Sequence, residues 1–384
     1  MASLLLVAGD PSGDAHGAAL VAALKRRDSS LSFAAFAGPH VRDAGVELLG
    51  DLTQAASIGP FDAAKHLGRF IDVRKKLEAY LRERRPDAVI LIDFGDFNLP
   101  VVAPLAKQFG CRVLYYVSPQ IWAWGRFRLR WVQQHVDRMI VLFRFEEEFY
   151  HEAGVAVTWV GHPLLDHVGA RRSRDELEPE LGVNGWRRTV GLLPGSRAKE
   201  ISRNLPTFLA AARHIAWRMP GVQFVMPKAP SLPMELFAAA RRNRHIEVIV
   251  RENRMHDGLQ VMDAAIVASG TATLETALFE VPMAVVYKTS WPTFLAAKSV
   301  VRVPNIAMVN LIAGKTVVPE FVQHHARPRA IADHIVDVLR NPRKADAIRA
   351  ELRAVKERLG PPGAVDRAAL AVMAELSQQN REVK

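Results

Sequence analysis

The chain has 384 residues, of which 49% are apolar and 24% charged, with a formal net charge of +11. That balance belongs to an ordinary folded protein long enough for two cores, and it excludes disorder outside the tail from Ser377 to Lys384. The positive excess calls for an anionic partner without choosing among nucleic acid, anionic lipid and sugar-nucleotide phosphate.

The N-terminus, MASLLLVAGD, has no charged n-region and too short an apolar run for a signal peptide. No window approaches the roughly 18 uncharged apolar residues a membrane span needs. Short apolar or β-branched runs then alternate with segments of helical period, the pattern of parallel α/β sheets. Strands are expected at Leu4–Ala8, Phe33–Ala37, Ala88–Ile92, Val113–Val117, Arg138–Leu142 and Val157–Val160. The lone cysteine, Cys111, stands at the head of the fourth of these; it reads as a packing residue and fits a reducing compartment.

After a polar stretch from Ala170 to Arg188 the rhythm restarts, with strands at Thr189–Leu193, Val222–Met226, Ile246–Val250, Ala264–Ala268 and Met283–Tyr287. Pro328 to Leu376 reads as helices only. The expected fold is therefore α/β, with two Rossmann-like doubly wound domains over 1–169 and 170–327 and C-terminal helices over 328–384 packing back across them. Ligands of such sheets sit at the carboxyl ends of the strands, where strand order reverses, so the site is expected in the cleft between two such halves.

Five strand-end loops carry candidate chemistry. The first, Gly9-Asp10-Pro11-Ser12-Gly13-Asp14, runs from a strand into a helix. It is not GxGxxG, and Asp10 and Asp14 would repel a pyrophosphate and suit sugar hydroxyls better; the alternative is a tight turn capped by Ser12 or Asp14. The second, Ile92-Asp93-Phe94-Gly95-Asp96-Phe97-Asn98, places a carboxylate at the end of a buried strand, where a general base would stand. Capping by Asp96 or Asn98 competes with that reading, and the spacing is not a DxD metal motif. The third, Ser118-Pro119-Gln120-Ile121-Trp122-Ala123-Trp124, carries two tryptophans that either hold a ligand or pack.

The fourth loop, Leu193-Pro194-Gly195-Ser196-Arg197-Ala198-Lys199-Glu200, is the strongest phosphate signal: backbone N–H groups, the Ser196 hydroxyl and the Arg197 fork converge at a helix start. In the fifth, Ser269-Gly270-Thr271-Ala272-Thr273-Leu274-Glu275, Glu275 falls in the first turn of a helix, where it would accept both ribose hydroxyls or complement the helix dipole.

Together these loops resemble the lipid-A-disaccharide synthase family, glycosyltransferases of the GT-B fold. The motifs VAG-x-x-SGD-x-x-GA, ID-x-x-DFN, YVSP-x-x-WAW, GH-x-x-x-D, LLPGSR-x-x-E, ASGTA-x-LE and N-L-x-AG occur in that order from Val7 onward. The resemblance implies an inverting, metal-free transfer of 2,3-diacylglucosamine from UDP to 2,3-diacylglucosamine 1-phosphate, with no cofactor. It implies Asp93 as the base on the acceptor hydroxyl. Ser196, Arg197, Glu200, Ser269, Gly270, Thr271, Glu275 and Asn310 fall on the UDP-sugar side, and Asp10, Ser12, Gly13, Asp14, Ser118, Trp122 and Trp124 on the acceptor side.

Acylated substrates imply a cytoplasmic protein in peripheral contact with the anionic inner-membrane surface, with a homodimer as the candidate assembly. Ile58 to Arg85 suits that contact, mixing Phe61, Leu67, Phe70, Val73 and Leu77 with Lys65, Arg69, Arg74, Lys75 and Lys76; an ordinary surface helix with a core face is the alternative. The sequence departs from the family pattern at Asp10, where Glu is usual, at Ile58-Gly59-Pro60-Phe61-Asp62, and at Met308-Val309-Asn310. His162 and Asp166 match a hinge region whose roles stay open. The rivals are a GT-B enzyme with another lipid acceptor, a UDP-sugar epimerase, and an inactive membrane-binding homologue. No nucleic-acid motif accompanies the charge, and the acidic loops oppose that reading.

Overall fold

The computed structural model describes residues 2–53, 63–169, 171–291, 294 and 305–382. The chain divides into two compact units, Met1–Asp166 with Leu359–Lys384, and His167–Arg358. The terminal helices, expected as one segment, are shared out instead: Pro328–Arg340 and Pro342–Arg358 belong to the second unit, and Ala364–Glu382 to the first.

The first unit is built on seven parallel strands: β1 (Ser3–Ala8), β2 (Ser32–Ala37), β3 (Glu47–Asp51), β4 (Ala88–Ile92), β5 (Arg112–Tyr116), β6 (Arg138–Val141) and β7 (Val157–Trp159). Their spatial order is β3-β2-β1-β4-β5-β6-β7. Both faces are covered, which is why the strands read as continuous apolar runs and not as alternation. Leu5, Val7, Val89, Leu91, Val113 and Tyr115 pack on one side, and Leu4, Leu6, Ile90, Ile92, Leu114 and Tyr116 on the other.

Ala368, Ala369, Val372 and Leu376 of the final helix join the second of these cores. Glu375 of that helix is 1% exposed and pairs with Arg112 at 2.5 Å and with Arg138, so the returning helix is held by a buried carboxylate between two guanidinium groups. Cys111 is buried, and burial first of all pushes its thiol up to about 11, as a packing residue requires.

The second unit has β8 (Thr189–Leu193), β9 (Gln223–Lys228), β10 (Val248–Glu252), β11 (Ala264–Ala268), β12 (Met283–Tyr287) and β13 (Glu320–Val322), in the order β10-β9-β8-β11-β12-β13 and all parallel. Strand order reverses between β1 and β4 in the first unit and between β8 and β11 in the second. Four of the five loops singled out above leave those strands, and the third leaves β5; Ala8 lies beside Ile92, and Leu193 beside Val267. Such a crevice at the carboxyl edge is where open α/β sheets bind ligands.

The strands missed by sequence reading, β3 and β13, are both sheet edges. The helix Ala63–Arg84 follows its alternative reading over the described side chains: Val73, Leu77 and Leu81 are buried in the core, and Phe70 packs on Phe94 and Phe97 at 6.3 and 5.5 Å between ring centroids. The stripe offered to a membrane is thus largely a core face, with Ile71, 48% exposed, left outside. Ile58 to Asp62, and the side chains of Lys65, Leu67 and Arg69, lie outside the described residues.

Candidate functional site

At the end of β4 the chain turns sharply. Asp93 and Phe94 both adopt left-handed backbone, φ 47° and 50°, a conformation costing non-glycine residues on the order of 1 kcal/mol or more. Two hydrogen bonds to the Asp93 carbonyl hold the turn: the Tyr115 hydroxyl donates at 2.5 Å and the Asn98 amide at 2.8 Å. The Asp93 carboxylate accepts the Phe94 N–H at 2.8 Å. Burial first, and then the negative charge of Asp10, push its pKa up to about 7. A strained loop that presents a carboxylate titrating near neutrality is what a general base needs.

The competing cap assignments do not hold. Asp96 makes no cap; its side chain is 71% exposed and pairs with Arg128 at 2.5 Å. Asn98 is fully buried and reaches back to the strand-end carbonyl of Asp93.

In the first loop Asp10 is the N-cap, accepting the Gly13 N–H at 3.0 Å, and Ser12 is exposed in the opening turn of the helix Pro11–Arg27. Gly9 lies under the Phe94 ring, where a Cβ would come within 2.0 Å of a ring carbon. Asp14 corrects the expectation of a sugar-facing carboxylate. It is fully buried, and its oxygens accept the N–H groups of Gly38 (2.8 Å), His40 (2.8 Å) and Val41 (3.2 Å), capping the helix Pro39–Asp43.

Ser118 is buried, its hydroxyl 2.7 Å from that of Tyr150. Trp122, on the short helix Ile121–Trp124, donates its indole N–H to Glu146 at 3.2 Å and packs edge-on against Phe145 at 4.8 Å. The Trp124 side chain lies outside the described residues.

His162 and Asp166, left open by the sequence, have separate positions. The His162 ring is buried beside Phe143, accepts the Leu164 N–H at 3.1 Å, and is held neutral by burial and by His16, with its pKa near 3. Asp166 accepts from the backbone N–H groups of Gly363 and Val365 and so caps the returning helix.

In the second unit the loop after β8 keeps Gly195 at φ 128°, where a Cβ would strike the Glu200 carboxylate at 2.6 Å. That carboxylate accepts the N–H groups of Ser196 (3.0 Å) and Arg197 (3.3 Å) in a capping box. Glu200 therefore closes the loop on itself, and the two amides expected to meet phosphate are already bonded. The Arg197 guanidinium is 73% exposed, touching only Glu200 at 3.4 Å among the described ion pairs.

Across the reversal, Ser269, Gly270 and Thr271 lead into the helix Thr271–Leu278, whose N-cap glycine makes no side-chain cap. Glu275 is the fifth residue of that helix, not in its first turn, and stands 3.4 Å from His256, whose pKa it raises through that hydrogen bond. His256, in the helix Met255–Val261 that opens two residues after β10, was not among the residues singled out from the sequence. Asn310 also departs from expectation: it is fully buried, donates to Val318 O and Glu320 Oε1 (both 2.8 Å) and accepts from Val317 N (2.8 Å) and Val318 N (3.1 Å). All four hydrogen-bonding sites of its amide are used inside the protein, leaving none for a nucleotide.

Comparison with known proteins bears on the fold and the family. In solved structures the fold resembles UDP-GlcNAc 2-epimerase from Neisseria meningitidis bound to UDP-GlcNAc (TM-score 0.62, 11% identity, 98% and 100% of the two chains) and MurG of Acinetobacter baumannii (TM-score 0.59, 14% identity, 97% and 100%). The architecture is GT-B. In sequence, lipid-A-disaccharide synthase of Geobacter sulfurreducens is 42% identical over 376 residues, 98% of each chain, and that of Myxococcus xanthus 38% over 370 residues, 96% of each. A family model described as lipid-A-disaccharide synthetase matches residues 4–372, and the chain belongs to that family of glycosyltransferases.

Proposed function

We propose that this chain transfers 2,3-diacylglucosamine from UDP to the 6-hydroxyl of 2,3-diacylglucosamine 1-phosphate, with inversion and with Asp93 as the base. The observation that carries the reading is the Asp93 turn: a strained strand-end carboxylate whose pKa is poised near 7. A single displacement needs one such base, and ionised Asp93 would take the acceptor proton as the glycosidic bond forms.

The charge left on the UDP side must be met by donors already in place. Because Glu200 occupies the amides of Ser196 and Arg197, the reading assigns the pyrophosphate to the Arg197 guanidinium and the open N-terminus at Gly270 and Thr271, and the ribose to Glu275. Acylated substrates place the enzyme on the cytoplasmic face of the inner membrane. Exposed Ile71, Arg74 and Lys75 are the described residues best suited to touch an anionic surface.

The test is UDP release from UDP-2,3-diacylglucosamine. Release that requires a diacylglucosamine 1-phosphate acceptor, and is slight with the deacylated one, supports the reading. Release or epimer formation without any acceptor sinks it.

A further inference from the structure

On the helix Arg144–Glu152, Glu146 and Tyr150 stand one turn apart and hold two residues spaced likewise on the loop after β5. Tyr150 meets the Ser118 hydroxyl at 2.7 Å, and Glu146 Oε1 accepts the Trp122 indole N–H at 3.2 Å. The other Glu146 oxygen accepts the Phe143 N–H at 3.2 Å. Glu146 is 2% exposed, and among the described residues no cation pairs with it.

A buried carboxyl without a counter-charge is costly when ionised. Burial pushes Glu146 up to about 8, and the charge of Asp93 adds to the rise. Capping a nine-residue helix does not require that expense, since serine or asparagine caps as well. What the carboxyl adds is a fixed indole. With its N–H on Glu146 and its ring edge-on to Phe145, Trp122 is held in one orientation, on a loop that packs directly on the Asp93 turn: a Cβ added to Gly95 would lie 2.6 Å from Pro119 Cβ.

We propose that Glu146 is a positioning residue for the acceptor sugar, acting through Trp122, which it holds as the wall of the acceptor subsite next to Asp93. The inference rests on the reading of Asp93 and its neighbouring loops as the acceptor side. Glu146 itself touches no reacting atom.

The test is a double-mutant cycle on the full chain, with Trp122→Phe, Glu146→Leu and the pair, varying acceptor at saturating donor and donor at saturating acceptor. Each single variant is expected to raise the acceptor KM about tenfold, the loss of one hydrogen bond to a carboxyl group, with donor KM changed less than about twofold. The pair should be no worse than either alone. Glu146→Gln, which keeps one acceptor oxygen, should recover part of the loss.

Additive effects would overturn the proposal, as would equal rises in both KM values or a fall in kcat alone with a lowered melting temperature. If Glu146→Leu does not fold, Glu146→Gln and Trp122→Phe still decide between an acceptor effect and none. Should Asp93→Asn retain turnover, the acceptor-side reading itself fails; should Asp93→Asn be inactive while acceptor KM ignores Glu146 and Trp122, only this inference does.

Discussion

Asp93→Asn separates catalysis from stability in opposite directions. The carboxyl is raised in the folded state from 3.8 to about 7. Folding therefore favours its protonated form: the penalty is absent below about pH 4, grows as pH rises to about 7, and is constant above that. At about 1.4 kcal/mol per unit the upper bound is about 4 kcal/mol, reduced by the solvent that reaches a half-buried group.

Asparagine is uncharged and can still accept the Phe94 N–H that Asp93 accepts at 2.8 Å. The variant should match the parent in urea unfolding near pH 4 and exceed it by about 1–3 kcal/mol at pH 8. Its turnover should fall about 10²–10⁴-fold, with UDP affinity nearly unchanged. A variant equally or less stable at pH 8, or one that turns over normally, would refute the reasoning.

Arg197→Ala should raise donor KM about ten- to a hundredfold, from the loss of charge-assisted phosphate bonds, while the melting curve stays put; unchanged kinetics at sub-saturating donor would remove Arg197 from the site. Asn310→Ala should cost about 2–4 kcal/mol in unfolding free energy, because four internal hydrogen bonds go and buried partners are left open, with little change in UDP affinity below the transition. A large loss of UDP affinity in a stable Asn310→Ala protein would restore it as a ligand contact. Activity should survive EDTA, since the sequence offers no DxD motif and a guanidinium stands ready for phosphate; loss on chelation, reversed by magnesium or manganese, would show that a metal carries the leaving group.

The strands that matter most for the site were legible in the sequence. β1, β4, β8 and β11 are buried on both faces and announce themselves as apolar runs followed by Gly9, Asp93, Pro194 and Ser269. Two of the four edges were not: β3, Glu47–Asp51, is half-exposed and ends in Gly-Asp, and β13 has three residues.

What sequence could not distinguish was a polar side chain aimed at a ligand from one aimed at the protein's own backbone. Asp14 finds its partners at Gly38, His40 and Val41, more than twenty residues on, so nothing near it foretold burial. Glu200 was closer to hand, since a glutamate three residues after Arg197 is a capping-box spacing, and it occupies the loop amides that the sequence offered to phosphate. Glu146 follows the same spacing from Phe143, but its bond to Trp122 crosses twenty-four residues and needs the fold to be seen.

The central claim is a transfer between two acylated sugars, and the product tests it most directly. Purified chain would be incubated with UDP-2,3-diacylglucosamine and 2,3-diacylglucosamine 1-phosphate, and the lipid fraction examined by mass spectrometry and proton NMR. The account predicts a tetraacyl disaccharide 1-phosphate with a β-1,6 linkage, formed one-for-one with UDP by the parent and at a rate lower by about 10²–10⁴-fold by Asp93→Asn. An α linkage, a hydrolysed or epimerised sugar, or equal product from both proteins would contradict it.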